Sequence, residues 1–178
     1  GDNNFAPPED WLALADEYFT ATTDTSDGGV GIPIIWGTDA VHGHSDIVGA
    51  TLFPHNIGLG AANDADLIRR IGEATALEIR ATGQDWTFAP TLAVVQNDTW
   101  GRTYEGYSER PEIVANLSGP MVEGLQGVAG TDDLLSGDHI VATAKHWVGD
   151  GGTNRGIDQG DTRASEADMR DIHAAGYM

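Results

Sequence analysis

The chain has 178 residues, enough for one domain with a real core. Nine basic against 28 acidic residues give a formal net charge of −19, which argues against nucleic acid or an anionic membrane surface as partner and suits a neutral or cationic ligand. Cysteine is absent, so there is no disulfide, thiolate metal site or cysteine nucleophile, and no apolar run approaches the length of a membrane span.

Residues 1–8 read as an irregular lead-in. Pro7 and Pro8, with Glu9 and Asp10 behind them, suit a helix start, and Trp11, Leu14, Ala15 and Tyr18 give a helical period over about 8–22. A polar, glycine-rich turn from Asp24 to Gly29 leads to an expected strand, Ile32–Trp36, and then to a polar loop from Thr38 to Asp46. The next expected helix starts at Asn63, keeps its period through Leu67, Ile71, Ala74 and Leu77, and stops at Gly83. A short strand, Trp86–Ala89, is followed by a long loop. Ser108 is the expected cap of a third helix on which Ile113, Leu117, Met121 and Leu125 recur, with a kink at Pro120. Ile140–Ala144 has the uncharged, β-branched character of a strand buried on both faces. Ser165, three residues before Asp168, caps a last helix running to Met178. Helices alternating with strands predict an α/β layout with a parallel sheet; three strands are too few for a closed eight-stranded barrel, which takes about 250 residues.

In such folds, sites gather at the carboxyl ends of the strands. Thr38-Asp39 follows the first strand, Trp100-Gly101-Arg102-Thr103-Tyr104-Glu105 follows the second, and Lys145-His146 ends the third. Lys145 is the only lysine; the other eight basic residues are arginine. Singly, each of these has a bland role: Arg102 in a loop salt bridge to Glu105, His146 a satisfied core histidine, Trp36, Trp100 and Trp147 packed in the core. Converging at one rim, they combine a carboxylate, a guanidinium, an ammonium, an imidazole and indole planes. Those groups suit a pyranose, whose hydroxyls take charge-assisted hydrogen bonds while its C–H faces pack on aromatic rings.

GIPIIWGTDAVHGH, LFPHNIGLGAANDADLIRRIG, WGRTYEGYSE and AKHWVGDGG together resemble the glycoside hydrolase family 3 β-glucosidases and exo-β-glucanases, over nearly the whole chain. The resemblance implies an α/β fold, a partial (β/α)8 TIM-like barrel with parallel strands and flanking helices, with 1–178 an incomplete N-terminal barrel domain. The first strand, the C-terminal part of the barrel and a second domain would lie outside it. It implies that Asp39, Arg102, Lys145 and His146 line the subsite for the non-reducing glucose of a β-linked glucoside or glucan oligosaccharide. Glu105, Trp100 and Trp147 would support them. It further implies retention, no cofactor, no metal, non-proline cis peptides around Lys145-His146 and a periplasmic or secreted location. Retaining enzymes need two carboxyl groups. The Ser-Asp-Trp motif that carries the family's nucleophile does not occur, since Ser26-Asp27 and Ser45-Asp46 are followed by Gly and Ile. No catalytic residue is therefore assigned within these residues. Gln159 falls where some members carry a glutamate and stays outside the site set. The loop GDGGTNRGIDQGD lacks the histidine of the N-acetylglucosaminidase branch, which favours glucosidase-like specificity.

Two rival readings remain. A metal-dependent amidohydrolase-type barrel would use His42-x-His44, Lys145, His146 and His173. A non-catalytic sugar-binding module would keep Asp39, Arg102 and Lys145 and need no nucleophile.

Overall fold

The computed structural model describes residues 5–178; residues 1–4, half of the expected lead-in, lie outside the described residues. Helix α1, Pro8–Thr23, has Pro8 in its first turn followed by Glu9 and Asp10. Trp11 is its one buried residue, and Leu14, Ala15 and Tyr18 continue the same half-buried face. Trp11 stacks on Trp36 at 5.4 Å between ring centroids, and with Ala6 and Ile47 forms a small cluster apart from the main core.

The expected strand Ile32–Trp36 does not form; the first ladder, β1, is Gly37–Thr38. Trp36 O accepts from Asp85 N at 3.1 Å, but Ile32, Ile34 and Ile35 are exposed and belong to no ladder. Apolar β-branched residues give strand propensity, yet a strand exists only where a neighbour supplies hydrogen bonds.

Two helices follow where one was expected. Asn56–Ala62 forms α2, and Asn63, in the left-handed region (φ 47°), ends it rather than starting the next helix. Helix α3, Ala65–Ala81, is capped by the Asp64 carboxylate, which accepts from Leu67 N at 3.0 Å. Its buried face is Ile68, Ile71, Gly72, Thr75, Ala76 and Ile79, rotated from the expected one, so that Leu77 is half exposed. The rotation turns Gly72 toward α4, Pro111–Gln126. A Cβ built on Gly124 would lie 2.1 Å from Arg69 O, and one on Gly72 2.9 Å from Met121 O, so the two helices meet backbone to backbone. Helix α4 starts at Pro111; Ser108 Oγ accepts from Arg110 N, closing the turn before the helix rather than capping it. The helix continues through Pro120.

Strand β2, Trp86–Thr87, lies between β1 and β3, Val141–Ala142, in the order β1-β2-β3, all parallel, with Gly37 opposite Trp86 and Trp86 opposite Val141. The ladders are shorter than expected, and Val141 is partly exposed, so β3 is not covered on both faces. Ile140, Leu92 and Val94 from the strand segments pack with Ile68, Ile79, Val114, Leu117 and Leu125 from α3 and α4 into the main core. Burying such a side chain stabilises by about 1.5–3 kcal/mol, which is what fixes the sheet against the helix pair. The last segment is less regular than expected. Ser165 Oγ accepts from Asp168 N, Glu166–Asp168 forms one α turn, Met169–His173 a π turn and Ala175–Tyr177 a 3₁₀ turn.

Candidate active site

All three strands end at one rim. Asp39 directly follows β1, and its Oδ1 accepts from Lys145 Nζ at 2.6 Å. The Asp39 side chain is 63% exposed and that of Lys145 13%, so the ammonium is largely withdrawn from water while the carboxylate faces out. Beyond β2, a 3₁₀ turn at Thr103–Glu105, closed by Glu105 N donating to Arg102 O, sets Arg102 and Glu105 three residues apart on one side. Arg102 Nε and Nη2 then donate to Glu105 Oε1 and Oε2, each at 2.8 Å, the two-pronged geometry a guanidinium favours.

Glu105 is buried, and burial alone would raise its pKa. The Arg102 fork and charge, the Thr91 hydroxyl and the charge of Lys145 together outweigh that and hold it below the usual carboxylate range. Arg102 in turn is raised, first by its hydrogen bonds to Glu105, then against burial by the charges of Glu105, Asp158 and Asp150. Asn56, buried at the start of α2, donates through Nδ2 to Glu105 O and Thr91 O and so anchors the turn from beneath. Its place in LFPHN gave no sign of this, because the bonds join segments 35 and 49 residues apart.

The segment after β3 leaves regular strand geometry. The Lys145-His146 and Trp147-Val148 peptide bonds are cis, as the resemblance implied, and Ala89-Pro90 is cis as well. Lys145 N donates to Pro90 O and Lys145 O accepts from Leu92 N, which ties this segment to the one after β2. His146 Nδ1 lies 2.7 Å from Asp150 Oδ2, a partner that the sequence reading missed. Arg102, His146, Trp147, Asp150, Asp158 and Gln159 line one cleft of about 330 Å³. A larger groove, about 590 Å³, runs past Ile57, Tyr107 and Ile113 and contains none of the expected site residues.

The three tryptophans part company. Trp36 belongs to the cluster with Trp11 and is removed from the site. Trp100 is 1% exposed and donates from Nε1 to Asp158 Oδ1, a wall behind the cleft rather than an open platform. Trp147 is 71% exposed, edge-on to Tyr177 at 5.1 Å, and offers a free face.

The metal-site reading meets a different arrangement. His42 Nδ1 pairs with Phe53 O, while His44 is buried against Thr82 Oγ1, its pKa lowered to about 4 chiefly by burial. Among the described residues, no three or more His, Cys, Asp or Glu are grouped to hold a metal ion.

These features define an α/β chain with a charged cleft at the carboxyl ends of parallel strands. The chain belongs to glycosyl hydrolase family 3: residues 4–178 match the model of the Glycosyl hydrolase family 3 N terminal domain. The exo-1,3/1,4-beta-glucanase from a Pseudoalteromonas species superposes with a TM-score of 0.94 at 59% identity, over 98% of this chain and 22% of that one. The beta-glucosidase from Listeria innocua, solved with isofagomine, superposes at TM-score 0.80 and 27% identity, over 99% of this chain and 23% of that one. The lysosomal beta glucosidase of Dictyostelium discoideum is 34% identical over 140 residues, 78% of this chain and 17% of that protein. The chain thus spans about a fifth of the length of these relatives. No helix among the described residues is long and apolar enough to cross a membrane.

Proposed function

We propose that this chain forms the glucose-holding part of an enzyme that hydrolyses β-glucosides or β-glucans from the non-reducing end, with retention and without a cofactor. On this reading the three-stranded sheet is an arc of a (β/α)8 barrel, and Asp39, Arg102, Lys145 and His146 bind the terminal glucose. The observation that carries the proposal is the continuous run of charge across the three strand ends. Asp39 pairs with Lys145, whose charge acts on Glu105; Glu105 grips Arg102, which feels Asp150, the partner of His146. Such a rim offers both donors and acceptors to a ring of hydroxyls, and Trp147 offers a face for its C–H bonds.

The displacement itself needs a nucleophile and an acid/base about 5–5.5 Å apart. No Ser-Asp-Trp motif occurs here, and the reading gives both carboxylates to sequence outside these 178 residues. The relative in Salmonella typhimurium, 29% identical over 125 residues, is a periplasmic beta-glucosidase, which supports export for this protein too.

The test is an aryl β-glucoside assay of the full-length protein containing this chain, with the first-formed sugar followed by NMR. Release of β-glucose supports the proposal. No turnover, or an α-anomer as first product, overturns it.

A further inference from the structure

We propose that Asp150 is the positioning residue of this pocket: its carboxylate holds His146 in one tautomer and one orientation, and thereby fixes what the imidazole presents to the sugar. This rests on the reading of the cleft as a glucose subsite and adds to it a residue that meets the sugar only through another.

Three observations carry it. The first is the contact itself. Asp150 Oδ2 lies 2.7 Å from His146 Nδ1. A carboxylate can only accept, so Nδ1 carries a proton and Nε2 is left for the ligand.

The second is how Asp150 is spent. Its side chain is 15% exposed, His146 is its hydrogen-bond partner among the described residues, and Oδ1 is buried without one. A carboxylate placed for stability would use both oxygens, because each unused acceptor withdrawn from water is a cost. The nearby His173 and Tyr177 feel the same carboxylate, and each also keeps a buried polar atom unpaired.

The third is the rigidity of the mount. Asp150 opens a tight turn, Asp150–Gly152, closed by Gly152 N donating to Gly149 O. Gly151 O accepts from both Gln96 N and Asn97 N, and a Cβ on Gly151 would lie 2.4 Å from Val94 O. The turn is therefore pressed against the segment that leads to Arg102. Asp150 also raises the Arg102 pKa through its charge, so one carboxylate bears on both the imidazole and the guanidinium.

A double-mutant cycle on the full-length protein tests this, using p-nitrophenyl β-glucoside and four forms: wild type, Asp150→Asn, His146→Ala and the pair. If Asp150 acts chiefly through His146, Asp150→Asn lowers kcat/KM about 10- to 100-fold alone and by no more than about threefold when His146 is already alanine, the remainder being its charge on Arg102. Equal losses in both backgrounds mark a merely structural role and overturn the proposal, as does Asp150→Asn without effect. Should Asp150→Asn not fold, Asp150→Glu goes through the same cycle, with the same coupling to His146 expected. A wild-type protein without turnover overturns the subsite reading and this inference together; an active wild type with additive effects overturns this inference alone.

Discussion

His44 is the sharpest handle on the stability of this fold. It is fully buried, its Nε2 meets Thr82 Oγ1 at 3.0 Å, its Nδ1 has no partner, and its ring sits edge-on to Trp11. Burial, opposed weakly by the neighbouring Gln84 side chain, lowers its pKa from 6.5 to about 4. The folded state therefore resists a proton that the unfolded chain accepts. Above pH 6.5 both states hold neutral imidazole and nothing is lost. As pH falls from 6.5 to about 4 the unfolded state alone binds the proton, and stability declines; below about 4 both bind it and the decline stops. At about 1.4 kcal/mol per unit, the whole window is worth about 3 kcal/mol. Two measurements check this. In a proton NMR titration, the imidazole resonance that disappears in His44→Gln is expected to stay unshifted until near pH 4. In denaturant unfolding of the full-length protein at pH 7 and pH 4.5, the wild type is expected to lose about 2–3 kcal/mol more than His44→Gln, a difference that removes the carboxylates common to both. A His44 resonance with a midpoint near 6.5, or parallel losses in the two proteins, would refute the reasoning.

Further outcomes are expected at the cleft and the open face. Arg102→Lys in the full-length protein keeps the charge but not the fork, and is expected to lower kcat/KM at least tenfold on an aryl β-glucoside. Asp39→Asn is expected to cost a similar factor in activity and to lower the unfolding temperature, because the Lys145 ammonium it pairs with is largely withdrawn from water. Glu105→Gln is expected to remove the part of the acid sensitivity lying below pH 4.5, since the folded pKa of Glu105 is depressed and its contribution is present above that value and lost below it. The isolated 178-residue chain is expected to bind an apolar dye through Ile32, Ile34 and Ile35 and to hydrolyse no aryl β-glucoside; a sharp cooperative melt without dye binding would contradict the first half.

The α/β order, the parallel sheet and most helices could be read from periodicity and punctuation, because those signals are local: prolines opening α1, Gly83 just past the end of α3. Local signals failed where a distant partner decides. Ile32–Ile35 has strand chemistry and no strand beside it. The face of α3 turned because Gly72 and Gly124 let the helices touch, and no count of apolar residues registers a contact between two residues without side chains. Asn63 was expected to start α3 and instead ends α2. At the strand ends, Asp39, Arg102, Lys145 and His146 were legible as polar residues after strands; Arg102 and His146 line the cleft, while Asp39 and Lys145 pair beside it. Asn56 and Asp150 were not, since an asparagine or aspartate in a loop is the commonest of sights and only the tertiary partner distinguishes it. Trp36 was over-read for the mirror reason, an indole near a site in sequence that packs elsewhere in space.

The backbone bonds between the segments after β2 and β3 bear on how such a protein can be recombined. Lys145 is bonded in both directions to Pro90 and Leu92, and Gly151 O takes two amides from Gln96 and Asn97. The loop that carries Arg102 and the loop that carries Lys145, His146 and Asp150 are thus one body, although some 40 residues of helix and turn separate them in the chain. A chimera that imports only one of them from a relative cuts every one of those bonds at once and asks a foreign main chain to restore them. Grafts taking 88–110 and 143–162 together keep the seam whole, so the smallest exchangeable piece of this pocket is a pair of loops, discontinuous in the gene and continuous in space.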